Sequence, residues 1–449
     1  LAILSIGNVN FPYIDDNARQ IGGMTDFGKT YARWGSEFGS WLIQGSRHLT
    51  DMGLTSHIIT ALVLSLASMI AVYTLNGKKL EVIPSIMSTM IGLNPWFLQC
   101  ISFRFDSPFM AASILFSLIP FLWWKKNNII FLGVSIISIF LMNNTYQASS
   151  GIYIIIVLIL SLRSFLNGKG LPYFKIVNSA TAYLLSMFLY LIELKLVPTV
   201  IKSSGESIFP NTSELPNVVS ANICKYFNEI YIQSNKLWIV LTMIVFVLFF
   251  VSSLIKTKEN TWISAILVLT FIIIASVLSF GIFIFYSKSI AGDAPRYIYG
   301  FAVFISMCLI VMTNKLEVRY IDVFSTIISC MLAYYILTFS FVYSATLNYQ
   351  KESFSSQSSN LVNDLKSIVT PNRKKVYFNT LFKNSSIYNN TLANYPIISR
   401  IVPPNDGLYW PNYVRFNTYS MLSIDIAPIN ENASDMKSNS LVISNYYYN

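Results

Sequence analysis

Charge is what this 449-residue chain has least of: Asp, Glu, Lys and Arg make up 12% of it, about half the share of a soluble domain, while 54% is hydrophobic. Histidine is nearly absent too. His48 and His57 are the only two, which excludes a multi-histidine metal site. Cys100, Cys224, Cys308 and Cys330 are far apart with no CxxC spacing, so neither a disulfide framework nor a zinc cluster is indicated. Acids are fewer than bases, 21 against 31, leaving a net charge of +10. A cationic chain can serve nucleic acid, but here the bases stand in short clusters between apolar runs, the pattern of membrane topology, so no nucleic-acid partner is expected. Acids within the apolar runs are sparse, and no internal repeat is visible, which argues against an ion-coupled transporter.

What is present is long apolar sequence. Runs at 53–75, 82–99, 107–124, 129–142, 148–162, 176–197, 237–255, 262–286, 297–313 and 321–344 are expected to be helical membrane spans. The runs at 82–99, 129–142 and 148–162 are short enough to be broken or re-entrant. With the apolar stub Leu1 to Ile6, itself too short to span, the expectation is an all-α polytopic protein of about eleven transmembrane helices. Alternate junctions carry Lys78-Lys79, Lys125-Lys126, Arg163 with Lys169 and Lys175, Lys256 with Lys258, and Lys315 with Arg319. The positive-inside rule assigns these to the cytoplasm. The loops 10–52, 100–107, 198–236 and 287–296 then share the outer face. So does the tail, read as a small α/β domain over 346–449 beside a membrane domain over 1–345.

The outer loops hold the residues suited to chemistry. Asp15 and Asp16 follow the stub directly, and neighbouring carboxylates raise one another's proton affinity, as a general base requires. Solvated acids at a helix exit are the plain alternative. Arg19, four residues on, is expected to pair with Asp15. One Asp should face the reaction while the other is held by Arg19, Arg47 or Arg104. In Phe103-Arg104-Phe105-Asp106-Ser107-Pro108, Arg104 and Asp106 project to one side of an extended segment, and a guanidinium there suits a phosphate. Arg296 marks the outer mouth of the 297–313 span, and Arg47-His48 the mouth of the 53–75 span. Asp15, Asp16 and Asp106 are the one set of acids that could share a divalent cation, though their spacing does not call for one, and no cofactor is expected. Between Met24 and His48, aromatics recur at spacings of three and four with Lys29, Arg33, Glu37 and Arg47 among the rest. This predicts one amphipathic helix at the outer interface, its glycines in close contact with the spans.

Tyr13-Ile14-Asp15-Asp16-Asn17-Ala18-Arg19, then Gly45-Ser46-Arg47-His48-Leu49, then Phe103 to Pro108, resembles in order the type II Gtr glucosyltransferases, serotype-converting O-antigen enzymes carried by temperate phages of enteric bacteria. An acidic pair after the first span is also a mark of the wider GT-C class. The resemblance implies a GT-C-like fold in the bacterial inner membrane with its active site in the periplasm. Its substrates would be an undecaprenyl-phosphate-sugar donor and a lipid-linked O-antigen acceptor, held among membrane lipids. Asp15 or Asp16 would be the base, and Arg104, with Arg47 or Arg296, would stabilise the leaving phosphate. Tyr13, Arg19, His48 and Asp106 would support them. An O-antigen polymerase or ligase, or a lipid-linked-sugar flippase, are the alternatives. The first should place its key arginines in a late outer loop and lack an N-terminal acidic pair.

Overall fold

The computed structural model describes residues 1–197, 199, 209–313, 319–370, 375–422, 424–429 and 441–443. Lys315 and part of the 198–236 loop lie outside them. The helices in chain order are α1 (Ala2–Val9), α2 (Asp16–Gly22), α3 (Phe27–Tyr31), α4 (Trp34–Gln44), α5 (Thr55–Leu75), α6 (Val82–Ser88), α7 (Met90–Leu93), α8 (Phe97–Ser102) and α9 (Ser107–Leu118). Next come α10 (Asn128–Thr145), α11 (Ser150–Ser164), α12 (Tyr173–Leu196), α13 (Leu215–Gln233), α14 (Lys236–Ile255), α15 (Thr261–Leu278), α16 (Gly300–Met312) and α17 (Arg319–Leu365). Among the described residues seven helices are long and apolar enough to cross a membrane, and three shorter apolar stretches, Val82–Leu93, Ser107–Trp123 and Gly300–Met312, accompany them. The protein is a helical membrane protein in which every apolar run of the sequence is wholly or largely helical.

All thirteen residues of α16 are buried, which makes this short helix the axis of the bundle; a helix apolar all round has no solvent face to offer. Of the three short runs, only 82–99 is broken. Asn94 precedes Pro95, and the proline ring drives it to ψ 153°, out of the helical region. Its side chain then holds both broken ends. Nδ2 donates to the carbonyls of Met90 and Ile91, and Oδ1 accepts from the N–H of Phe97. The break lets α8 enter at a new angle and deliver the loop 103–106.

The predicted single amphipathic helix over 24–48 is two helices, α3 and α4. Ala32 between them takes φ 56°, and its N–H bonds back to Gly28. The buried Glu37 carboxylate fixes the break, accepting from the Thr25 hydroxyl and from the Gly28 N–H at 3.1 Å. Phe38 and Leu42 of α4 are exposed, as an interfacial helix requires. On its inner side a Cβ at Gly35 would come within 3.0 Å of the Asn144 carbonyl, so glycine permits the contact with α10.

The 321–344 run does not end at 345. α17 continues for 47 residues to Leu365, straight through the expected domain boundary. Beyond it lie β1 (Lys375–Phe378), α18 (Ser386–Asn394), α19 (Ile398–Ile401), α20 (Trp410–Ser420), β2 (Asp425–Pro428) and β3 (Leu441–Ile443), the strands forming a parallel sheet in the order β2-β1-β3. Phe354, Leu361 and Leu365 of α17 join Val376, Phe378 and Phe416 in a core of their own. Ile397, Ile398, Ile401 and Val402 pack instead into the main core of the bundle.

Candidate active site

The acidic pair sits in a tight reversal of the chain. Asn10 ends α1 in the left-handed region, and Ile14 takes φ 43°, which costs a β-branched residue on the order of 1–3 kcal/mol. That turn separates two neighbours. Tyr13 goes inward, its ring edge-on to Phe103 at 4.8 Å and its hydroxyl donating to the Ile401 carbonyl at 2.7 Å. Asp16 is buried, its Oδ2 accepting from the N–H groups of Tyr13 at 3.1 Å and Arg104 at 3.4 Å. Asp15 is half-buried and, like Asp16, has an Oδ1 without a hydrogen-bond partner. Burial, reinforced by the Asp106 charge and opposed by Arg19, pushes the Asp15 carboxyl up to about 6. Burial, with Asp15 and Asp106 adding, holds Asp16 well above the usual carboxylate range.

The arginines divide into tethered and free. Arg19 pairs with Asp106 at 2.5 Å, not with Asp15 as its spacing suggests, because the Thr25 carbonyl at 3.0 Å and the Phe27 ring under its guanidinium at 4.3 Å aim it there. Arg104 is held by Asp51 at 3.0 Å, by the Gly53 carbonyl and by Asn10 Oδ1. Arg47 lies exposed over the Trp41 ring at 4.8 Å, and His48 is exposed against Gly23; the fold does not bring either to the acids. Arg296 differs from the rest. Its N–H donates to Gln99 at 2.9 Å, its guanidinium rests between Phe103 and Tyr297 at 4.8 and 5.0 Å, and it makes no ion pair among the described residues. Four residues on, the start of α16 packs closely: a Cβ on Gly300 would lie 2.1 Å from the Ser279 carbonyl. Asp15, Asp16 and Asp106 do not form a metal-binding set.

One cation was not visible as a site residue in the sequence. Arg33 follows the Ala32 break, its guanidinium 4.6 Å from the Tyr146 ring centroid and 5.1 Å from that of Tyr31, its Nε buried and unpartnered. It lines a cavity of about 590 Å³ with Tyr31, Gln147, Tyr190, Tyr286 and Tyr297. Helical spacing alone puts Arg33 on the polar outer face, and alanine gives no sign of a break.

Long apolar helices that end in a cluster of buried acids and arginines define a polytopic membrane protein with a charged site at one end of its bundle. Residues 4–307 match the family model described as glucosyl transferase GtrII, and the chain belongs to that family: it is a glucosyltransferase. The match takes in the acid pair and Arg19, Arg33, Arg47, Arg104 and Arg296. No curated protein and no solved structure matches the chain.

Proposed function

We propose that this glucosyltransferase takes its sugar from undecaprenyl-phosphate-glucose and attaches it to a sugar of lipid-linked O-antigen on the periplasmic face of the bacterial inner membrane, with Asp15 as general base. The observation that carries this reading is a half-buried carboxylate having a free oxygen, Asp15, within the electrostatic reach of an arginine that makes no ion pair among the described residues, Arg296. Asp15 accepts the proton of the acceptor hydroxyl, whose oxygen attacks the anomeric carbon. The bond from that carbon to the phosphate oxygen breaks, and the charge gathering on the leaving phosphate is met by Arg296. Direct displacement converts a β-linked donor into an α-linked product. Asp16 is assigned to structure, since it holds two backbone N–H groups, and Arg19 and Arg104 to framing the loop through Asp106 and Asp51. The cluster of Lys79, Arg163 and Lys256 at the other end of the bundle supports the outward orientation of the site.

Mass spectrometry of O-antigen from cells making the wild-type chain or Asp15→Asn at equal membrane levels tests this. The wild type should add hexose and the variant should not. Hexose addition by the variant sinks the assignment of Asp15, and its absence with the wild type sinks the acceptor.

A further inference from the structure

The 590 Å³ cavity lined by Arg33 and Tyr297 lies beside the site, and its volume falls in the range of about 300–1,000 Å³ typical of small-molecule sites. Three features say what it takes. Its charge is cationic: Arg33 has a buried Nε with no partner, and Lys195 stands exposed at its wall with no ion pair among the described residues. The one acid among the described residues of its wall, Asp293, is already engaged by Lys288 at 3.1 Å. Its polar walls are rich in tyrosine, offering faces for a sugar ring and hydroxyls for its oxygens. Another wall is apolar, from Met187, Leu191 and Leu194 of the spanning helix α12, where the first units of a prenyl chain can lie. Tyr297 joins the cavity to the acids, since it lines the cavity and also lies under the Arg296 guanidinium.

We propose that this cavity seats the anionic head of a prenyl-linked phosphosugar, and that Arg33 and Arg296 hold the phosphate from either side of Tyr297. The inference rests on the reading of the chain as using a lipid-linked donor, and it replaces Arg104 and Arg47 in the phosphate site with Arg33. Arg33 is a binding residue, so its loss falls on affinity more than on turnover. Binding of polyprenyl phosphate to the full chain in detergent, with the uncharged polyprenol as control, reads the site directly. Arg33→Gln should weaken the phosphate at least about tenfold, the worth of one charge-assisted hydrogen bond, and leave polyprenol unchanged. Arg33→Lys, which restores charge but not the planar fork, should recover part of the loss. In turnover the donor KM should rise by a similar factor, with kcat and the acceptor KM little altered. Unchanged phosphate affinity in folded Arg33→Gln overturns the assignment, as does a rise confined to the acceptor KM. If the wild type binds polyprenyl phosphate yet uses another donor, the proposed function falls and the anion site stands. If it transfers glucose from the polyprenyl donor and Arg33→Gln does so equally well, the site falls and the function stands.

Discussion

Asp15 has to serve two masters with one proton. Its carboxyl is raised to about 6, so the folded protein favours the protonated form, and that preference supports folding fully below about pH 4 and is lost as pH rises through about 6. The proposed role as general base needs the opposite form. The acid limb of kcat/KM should therefore climb through about pH 6 while thermal stability declines over the same interval, which parallel activity and melting profiles will show. Asp15→Asn removes the buried charge: transfer should fall by about 10²–10⁴-fold, yet at pH 7.5 the variant should be more stable than the wild type by on the order of 3 kcal/mol, converging with it below pH 4. Asp16 should behave otherwise. Asp16→Asn keeps an acceptor for the Tyr13 and Arg104 N–H groups, whereas Asp16→Ala strands both, and detergent melting should drop only for the alanine. Breaking the mostly buried Arg19–Asp106 pair from either side should cost about 3–5 kcal/mol, and the double variant less than the sum of the two. The pair of acids is legible in sequence as a pair. The division of labour is not, because it depends on a positive φ at Ile14, a residue whose type argues against one.

Breaks decide this site more than helices do, and the two breaks differ in how openly the sequence declares them. Asn94-Pro95 announces itself, since proline bars the preceding residue from the helical region, and the short 82–99 run already suggests a broken helix. Asn94→Ala removes three hydrogen bonds from two helix ends and should cost about 2–3 kcal/mol in a melting assay. Activity should fall further than stability explains, because α8 carries Gln99 and the loop of Arg104 and Asp106. The Ala32 break has no such herald. It is imposed by Glu37, which reads as one more polar residue of an amphipathic face but is buried against Thr25 and Gly28. Periodicity finds a helix by the face it shows to lipid or core. It is blind to a carboxylate that turns inward to bond backbone, and so it misses Arg33 as well.

On the scale of the whole chain, the expected boundary at 345 separates parts that the fold ties together. The Ile401 carbonyl accepts from both Tyr13 and Tyr343, Lys351 donates to the Val9 carbonyl, and the buried Arg415 guanidinium sits between Phe11 of the main core and Phe354 of the second. The contacts of Tyr13, Val9 and Phe11 join residues hundreds apart, which no local pattern encodes. A chain ending at 345 should still insert but should lose glucosyl transfer, since Tyr13 would lose its acceptor beside the acid pair; vesicle assays of the truncated chain check this. The 47-residue α17 sets a further condition. At 1.5 Å and 100° per residue it spans about 70 Å, more than twice the hydrocarbon thickness, so it acts as a threaded shaft whose pitch fixes both the height and the compass bearing of what it carries. One alanine inserted near 345 would swing the Ile401 carbonyl by about a quarter turn away from Tyr13, whereas four would return it nearly to phase at a greater height.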